Sequence, residues 1–497
     1  MTALLLRDVR LVALQPGEVA PEHPVDVLIA TSGDGDGRVL AVGPGLERPA
    51  GADEIDAGGR WLVPGLWDAH VHLGQWTSAR SRLDTREVRS VAEALALVGT
   101  RLAQRPGAAV IGWGHRPAAW DPAPTTADLD AIAPATPVVL VAGDGHQAWV
   151  NTAAQVALDL PRQAGPVEED VWFAAYARLG ELSGPRSGVT PDDYAETLRA
   201  AAALGITGVV ELEFSGGLAA WRERWEHGCD LLRVRVGVYA DDLEATLAEG
   251  LRSGDRLLSR AADPRGLLTM GPLKIISDGS LTTRTAWCRH AYADTGTHGA
   301  ANLDAAELGA HLARAHAGGL EVAVHAIGDA ALDQALDAYD ASGARGSLEH
   351  VQLAEPAQVR RIARLGLRAS VQPHHLVDDR DLAERVWPGR TQHCFPLRDL
   401  HEAGVALALG SDAPVSPLDP WLAIDAAVTR TGDERGPWHP EQSLTRREAL
   451  AASVDGRAMP APGAPADVVL VDDDPLTAAR PGVALTIVAG RVVHGGV

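Results

Sequence analysis

The strongest constraint on the fold is an alternation, in the middle of the chain, between short apolar runs and stretches with helical spacing. Eight runs are apolar almost throughout, which suits strands buried on both faces of a parallel sheet. Helical stretches such as 303–318, 330–342 and 354–366 fall between them. Eight strand–helix alternations are the number found in a (β/α)₈ barrel. The runs are WLVPGLWDAHVHL, GITGVVELE, LRVRVGVYA, GPLKIISDG, LEVAVHAI, GSLEHVQL, RASVQPHHL and VALALGSDAP.

The two ends of the chain have a different sequence pattern from the middle. Short strand-like runs separated by turn signals fill residues 1–60, and the same pattern returns in 458–497. We therefore predict a small β-sandwich domain built from both termini. Residues 61–457 would form the (β/α)₈ TIM-like barrel of this α/β protein. Within it, 74–200 would be a large insertion after the first barrel strand, since two further apolar runs there do not fit the eight.

Composition argues against several classes of protein. There are 66 Asp and Glu residues against 44 Lys and Arg, and no stretch is a basic run, so nucleic acid is not an expected partner. No run of about 18 apolar residues predicts a membrane span, and the apolar start is too short for a signal peptide. Cys229, Cys288 and Cys394 are scattered and predict no disulfide framework. We expect a cytoplasmic enzyme with a small-molecule substrate; its oligomeric state is open, with a homodimer as one expectation.

Histidines and an aspartate close several of the eight runs, at the ends where barrel enzymes carry catalytic groups. His70 and His72 share one face of an extended strand and could converge on a metal ion. His325, His350 and Asp412 close the fifth, sixth and eighth runs. Each has a structural alternative, as a satisfied core histidine or as a cap of the following segment. Together they predict a site for Zn²⁺, with Mn²⁺, Fe²⁺ or Co²⁺ as other ions that such ligands bind.

A lysine on the fourth run adds to this prediction. Lys274 lies between Leu273 and Ile275, where a charged ammonium group would be costly. A lysine desolvated there would be a neutral amine that could take up CO₂ as a carbamate. The carboxylated Lys274 would then be an anion that bridges two divalent metal ions.

These residues stand in stretches that resemble the amidohydrolase superfamily. The narrower resemblance is to amidohydrolase family 3, the branch that contains N-substituted formamide deformylase, and it covers nearly the whole chain. The stretches that carry it are PGLWDAHVHL, DGHQAWVN, LKIISDGSLTTRTA, VAVHAIGDAA, SLEHVQL, SVQPHHL and GSDAP.

The resemblance implies a particular ligand set. His70 and His72 would bind one metal ion, and His325 and His350 would bind the second. Carboxylated Lys274 would bridge the two ions.

The resemblance also implies a reaction. Asp412 would bind the first ion and be the catalytic residue that transfers the proton, while a metal-bridging hydroxide attacks the substrate carbonyl. The expected activity is hydrolysis of a non-peptide carbon–nitrogen bond, in an amide, an N-substituted formamide or a cyclic amide. The alternatives are a deaminase or a lactone or ester hydrolase on the same scaffold, and a non-catalytic sensor. Lys274 argues against the deaminases of the superfamily, which usually work with one metal and no bridging lysine.

Four further residues are candidates for contact with the substrate. His146 and His375 match family histidines outside the ligand set, and the alternative for both is a structural role. Asp278 and Arg284 follow the fourth strand, and their alternative is to pair with each other or to hold the loop. Several tryptophans lie in or near stretches expected at the mouth of the site, and they favour an aromatic or alkyl substituent on the substrate nitrogen. They are Trp67, Trp76, Trp149 and Trp287.

Overall fold

Strands and helices alternate along most of the computed structural model, which describes residues 2–31, 37–85, 87–115, 117, 120–142, 147–176, 178–182, 189–214 and 217–495. In chain order, the strands of these residues are β1 (Ala3–Leu11), β2 (Val25–Ala30), β3 (Val39–Gly43), β4 (Asp53–Asp56), β5 (Trp61–Pro64), β6 (Leu66–Val71), β7 (Leu83–Asp84), β8 (Val110–His115), β9 (Val138–Ala142), β10 (Gln147–Val150), β11 (Val167–Glu168), β12 (Ile206–Glu211), β13 (Arg233–Val238), β14 (Leu268–Ile276), β15 (Val322–Ala326), β16 (Gly346–His350), β17 (Arg368–Val371), β18 (Ala406–Leu409), β19 (Val468–Val471), β20 (Val483–Val488) and β21 (Arg491–His494). Their α-helices are α1 (Leu73–Ser81), α2 (Val91–Gln104), α3 (Thr126–Ile132), α4 (Thr152–Ala157), α5 (Glu169–Tyr176), α6 (Pro191–Ala202), α7 (Gly217–Glu226), α8 (Leu243–Ala248), α9 (Ala305–Gly318), α10 (Asp329–Ser342), α11 (Pro356–Leu365), α12 (Leu376–Val386), α13 (Leu397–Glu402), α14 (Pro420–Thr429) and α15 (Arg446–Ala451).

Eight strands of the described residues form a parallel sheet in the order β18–β17–β16–β15–β14–β13–β12–β6. The sheet nearly closes, because Val71 at the end of β6 forms a parallel bridge with Ala413, which follows β18. Beside this bridge, the backbone N–H of Asp412 donates to the carbonyl of His70 (2.7 Å), and that of His72 donates to the carbonyl of Ala413 (3.0 Å). Each strand comes from one of the eight apolar runs, so the predicted parallel barrel is confirmed.

The helices between the later barrel strands follow from local signals in the sequence. The side chain of Asp304 accepts hydrogen bonds from the first turn of α9, and Gly319 ends that helix in a left-handed conformation (φ 83°). Helices α9, α10 and α11 lie within about two residues of the predicted stretches, which is the normal uncertainty of a helix end. Within the described residues, no helix is both long and apolar enough to cross a membrane.

The first apolar run divides into two strands that belong to different sheets. Strand β5 pairs with β1 and β19, whereas β6 pairs with β12 in the barrel. The break falls at Gly65, where a Cβ atom would lie 2.2 Å from the hydroxyl oxygen of Thr207. Residues 61–64 therefore lie in the sheet formed by the termini, whereas the sequence indicated one continuous barrel strand. Apolar character alone does not reveal where a strand changes its pairing partner.

The strands near both termini form a separate, mainly antiparallel sheet in the order β21–β20–β19–β5–β1–β2–β3, with β4 beside β1. Strand β1 is shared: its first residues pair with β2, and Arg10 and Leu11 pair with β5. Leu6, Val27 and Ile487 belong to one buried apolar cluster, to which both ends of the chain contribute. Both termini thus contribute to one sheet, as predicted, whereas its arrangement as a β-sandwich stays a prediction.

Residues 77–193 form a compact unit of their own. Within the described part of this unit, five strands pair in the order β11–β10–β9–β8–β7. The side chains of β9 alternate between two buried clusters: Val138 and Leu140 belong to one, and Val139 and Val141 to the other. This unit falls inside the predicted insertion, whose boundaries at 74 and 200 stay a prediction.

Candidate metal centre

A cavity with a volume of about 570 Å³ lies at the carboxyl ends of the barrel strands, the edge at which barrel enzymes carry their active sites. Arg284 is not among the residues that line it, and His146 lies outside the described residues. The predicted site residues that do line it are His70, His72, Lys274, Asp278, His325, His350, His375 and Asp412.

The carboxylate of Asp412 lies close to the rings of two of these histidines. Its Oδ1 lies 3.4 Å from Nε2 of His70 and 3.2 Å from Nε2 of His72. Asp412 has a positive φ of 56°, a conformation that aspartate adopts more readily than most residues. Burial alone would raise the pKa of this carboxyl, but the imidazoles of His70 and His72 hold it well below its usual range. Asp412 is therefore ionised and can act as a ligand or as a base.

His350 brings a further imidazole to the same place. Its ring centroid is 5.0 Å from that of His70 and 4.4 Å from that of His325. A ring nitrogen of His70, one of His350 and a carboxylate oxygen of Asp412 lie within 4.8 Å of one another, a spacing that could hold a metal ion. Burial lowers the pKa of His70 to about 4 and that of His350 well below its usual value. Both imidazoles are therefore neutral at pH 7, as metal binding requires.

Unsatisfied polar atoms at this end of the barrel also fit a metal ion. The Nδ1 atom of His350 and the Nζ atom of Lys274 are buried and have no hydrogen-bond partner among the described residues. Buried polar atoms without partners are costly and usually indicate a missing ion, water or ligand. The side chains present thus fit a metal ion better than they fit a closed network of hydrogen bonds, and this supports a metal cofactor.

Lys274 lies on β14 with only 2% of its surface exposed. Its Nζ has no hydrogen-bond partner among the described residues. Burial lowers the pKa of this amine, although the carboxylates of Glu349 and Asp412 act in the opposite direction. A buried amine with a lowered pKa has the reactivity that carbamate formation needs, and the carboxylation of Lys274 stays a prediction.

The sequence analysis missed Glu349. The Nδ1–H of His70 donates to Oε2 of Glu349 (2.7 Å), and the hydroxyl of Ser347 donates to Oε1 (2.5 Å). Burial would raise the pKa of this carboxyl, but the hydrogen bond from His70 is the largest of the effects that lower it to about 2. The signal was available in SLEHVQL, because a carboxylate on a buried strand needs a partner as much as Lys274 does.

Asp278 and Arg284 make contacts that agree with the loop-holding alternative. Asp278 is fully buried, and its carboxylate accepts hydrogen bonds from the backbone N–H groups of Trp287 (2.9 Å), Ile327 (3.1 Å) and Gly328 (2.8 Å). Arg284 pairs with Asp294 (2.9 Å) rather than with Asp278. A role of either residue in substrate binding stays a prediction.

His375 and Asp68 hold the segment that carries Asp412. The Nε2–H of His375 donates to the carbonyl of Ser411 (3.3 Å) and lies 4.0 Å from Oδ2 of Asp412. Asp68 accepts hydrogen bonds from the backbone N–H groups of Ser411 (3.0 Å) and His70 (3.0 Å). The ends of β6 and β18 are thereby tied together, which keeps the first histidine pair close to Asp412.

A comparison with known protein families agrees with this geometry. The model of the amidohydrolase family matches residues 53–494. The chain belongs to this family. The match includes the whole barrel and most strands of the terminal sheet, so the resemblance seen in the sequence motifs is confirmed.

This amidohydrolase is similar to several known proteins over most of its length. It is 29% identical over 466 residues to Protein LONG AFTER FAR-RED 3 of Arabidopsis thaliana, which covers 84% of this chain and 77% of that protein. It is 27% identical over 497 residues to N-substituted formamide deformylase of Arthrobacter pascens, with coverages of 89% and 90%. A solved structure of an uncharacterized metal-dependent hydrolase from Pyrococcus furiosus superimposes with a TM-score of 0.76 at 27% identity, covering 96% of this chain and all of that one. The match to the family model and the similarity to proteins named as enzymes together identify this chain as a hydrolase.

Proposed function

We propose that this chain is a metal-dependent hydrolase of non-peptide carbon–nitrogen bonds, in amides, N-substituted formamides or cyclic amides. One observation carries the proposal: nitrogens of His70 and His350 and an oxygen of Asp412 lie within 4.8 Å of one another at the carboxyl end of the barrel. The adjoining cavity of about 570 Å³ suits a small-molecule substrate.

The contacts support a ligand set for two ions. His70 and His72 would hold the first ion together with Asp412, since the Nε2 atoms of both histidines face that carboxylate. His325 and His350 would hold the second ion, because their rings are adjacent. The Nε2–H of His325 is directed at the carbonyl of Gly279 (3.3 Å), so Nδ1 of His325 would be the nitrogen that binds. These nitrogen and oxygen ligands favour Zn²⁺, and Mn²⁺, Fe²⁺ or Co²⁺ would also suit them.

Carboxylated Lys274 would complete the ligand set. Its amine is buried, has no hydrogen-bond partner among the described residues and belongs to a residue that lines the same cavity as Asp412. A carbamate would turn this potential cation into an anion with two oxygens, which suits a bridge between two ions. The same feature favours hydrolysis over the one-metal deaminase alternative.

Asp412 would move the proton in the reaction. When bound, the metal ions would supply an activated water at neutral pH and polarise the substrate carbonyl. Asp412 is ionised and lies at the mouth of the site, so it can accept a proton from the attacking water and deliver it to the leaving nitrogen. His375, with Nε2 4.0 Å from Oδ2 of Asp412, would orient that carboxylate.

The walls of the cavity support an apolar group on the substrate. Phe214 and Val415 line the cavity with 56% and 63% of their surfaces exposed, and Phe214 stacks on the ring of His72 with centroids 4.9 Å apart. Leu281 continues this wall. Trp67, by contrast, lines a separate cavity at the amino ends of the strands. The similarity to N-substituted formamide deformylase agrees with an alkyl or aromatic substituent on the nitrogen.

Metal analysis combined with a substrate screen tests the proposal. The wild-type chain should hold about two metal equivalents and hydrolyse N-benzyl or N-alkyl formamides or amides. His70→Ala and His325→Ala should each lose at least one equivalent and the activity, because they belong to different ions. His227→Ala is a matched control: this histidine is exposed, and within the described part of the chain its ring bonds only the carbonyl of Glu223, so the substitution should leave metal content and activity unchanged.

Three outcomes would contradict the proposal. Full metal retention in both ligand variants would refute the ligand assignment. Metal binding without turnover of any amide, formamide or cyclic amide would favour the sensor alternative. Turnover confined to esters or lactones would move the enzyme to that class of hydrolase.

A further inference from the structure

The carboxylate of Glu349 lies beside the candidate ligands and takes no part in the proposed reaction. Glu349 is on β16, directly before His350, and is paired in the sheet with His325 on β15. Only 1% of its surface is exposed, and its two oxygens accept hydrogen bonds from His70 (2.7 Å) and Ser347 (2.5 Å). One buried carboxylate therefore touches one proposed ligand and adjoins two others.

The contact with His70 determines which ring nitrogen is free. A neutral imidazole has one N–H group and one lone pair. Since Nδ1–H of His70 donates to Glu349, the lone pair is on Nε2, the nitrogen that lies 3.4 Å from Asp412. His72 also directs Nε2 at Asp412, but its Nδ1 has no partner among the described residues. Of the two histidines at the end of β6, His70 on the strand and His72 just after it, His70 is thus the one whose orientation and tautomer are held by a carboxylate.

We propose that Glu349 is a positioning residue: it fixes the ring and tautomer of His70 for metal binding and adds negative charge beside the ligand set. This inference rests on the proposed function, because it requires His70 to be a metal ligand. Carboxylates that hydrogen-bond to ligating histidines raise the basicity of the ring and typically contribute 10- to 100-fold to metal affinity.

A second cavity makes the role of Glu349 testable by chemical rescue. It has a volume of about 400 Å³, lies at the amino ends of the barrel strands, and is lined by Glu349, Ser347 and Ser370. Truncation of Glu349 would therefore open space next to an existing cavity, where a small carboxylate such as formate could take its place. Ser370 provides a matched control, because its buried hydroxyl has no hydrogen-bond partner among the described residues.

The experiment measures the dissociation constant for Zn²⁺ by competition with a chromophoric chelator, on the full-length chain. Glu349→Gln, which keeps the shape and removes the charge, should bind Zn²⁺ about 10- to 100-fold more weakly than wild type. Glu349→Ala should be weaker still, and formate should restore part of its affinity. Ser370→Ala should bind as wild type does. Circular dichroism shows that each variant is folded.

The outcomes separate this inference from the proposed function. A wild-type chain that binds no metal would overturn both. A wild type that binds Zn²⁺, together with a Glu349→Gln variant of equal affinity, would overturn the inference alone. A folded Glu349→Ala variant whose lost affinity does not respond to formate would assign Glu349 a packing role and would also overturn it.

Discussion

The two ends of the barrel differ in how their buried ionisable side chains are paired. At the carboxyl end, the amine of Lys274 is buried without a hydrogen-bond partner among the described residues. At the amino end, the buried Asp467 pairs with Arg233 (2.7 Å), and Asp455 pairs with Arg235 (2.5 Å). Unpaired buried groups lower stability, whereas paired ones do so far less. The carboxyl end thus keeps an unpaired ionisable group at the expense of the stability of the metal-free chain, whereas these two carboxylates at the amino end are paired.

The largest expected effect is at the amino end. Asp467 is almost fully buried and pairs with Arg233 at the start of β13 (2.7 Å) and with Arg457 (2.6 Å). Asp467→Ala would leave two cations with little exposure and no partner, so we expect the free energy of unfolding to fall by about 3–5 kcal/mol. Chemical denaturation of the metal-free chain measures this change.

The control for this variant is a more exposed pair in the terminal sheet. Asp472 pairs with Arg60 at 2.7 Å, and both side chains are more than 40% exposed. Asp472→Asn should therefore cost less than about 1 kcal/mol. Equal losses for the Asp467 and Asp472 variants would show that burial of the ion pair does not distinguish the amino end.

At the carboxyl end we expect a gain in stability. Lys274→Met replaces an amine without a partner by an apolar side chain of similar length, so the metal-free chain should become more stable by about 1–3 kcal/mol while metal binding and activity are lost. Denaturation after chelation measures the gain. A destabilised Met variant would mean that Lys274 is satisfied in the metal-free protein, and the comparison between the ends would fail.

The same lysine predicts the sign of a pH dependence. Burial lowers the pKa of Lys274, so between this lowered pKa and the ordinary lysine pKa the unfolded chain binds more protons than the folded one. Its contribution to the free energy of unfolding should therefore rise with pH up to the ordinary lysine pKa of about 10.4. In Lys274→Met this part of the slope should be absent.

The smallest expected effect is at the exposed rim of the amino end. Arg368 and Glu321 are 37% and 50% exposed, so water and salt screen their attraction. Glu321→Gln should change the free energy of unfolding by less than about 1 kcal/mol, and by less still in high salt. A larger loss that persists in high salt would show that this pair contributes to stability as a buried one does.

The barrel could be predicted because its strands are buried on both faces, and eight apolar runs report that burial directly. The division of the first run could not be predicted in this way, because both strands lie in one largely apolar run and the division depends on the strands with which β5 and β6 pair. Pairing depends on residues far away in the chain, such as β19. The positions of strand ends, by contrast, were enough to bring His70, His350 and Asp412 to one edge of the barrel.

Contacts within the site were harder to predict than its location. Glu349 contacts His70 across 279 positions in sequence, and their strands, β16 and β6, are not neighbours in the sheet, so the contact depends on the folded barrel. The expected position of Trp67 was wrong for a similar reason, since Trp67 is near the ligands in sequence but lines the cavity at the opposite end of the barrel. Alternation along a strand predicts which face a side chain lies on, but only when the start of the strand is known. For Trp67 this requires knowing that the run breaks before β6.

The pairing of β5 with β19 has a consequence for synthesis of the protein. Strand β5 is made early and β19 follows it about 400 residues later, so Leu62 and Val63 must wait for most of the chain before their edge is covered. During translation this exposed apolar edge is a surface on which another nascent chain could add a strand. We therefore expect ribosome-bound intermediates of this chain to need a chaperone. Once β19 has been synthesised and pairs with β5, this edge should no longer promote aggregation.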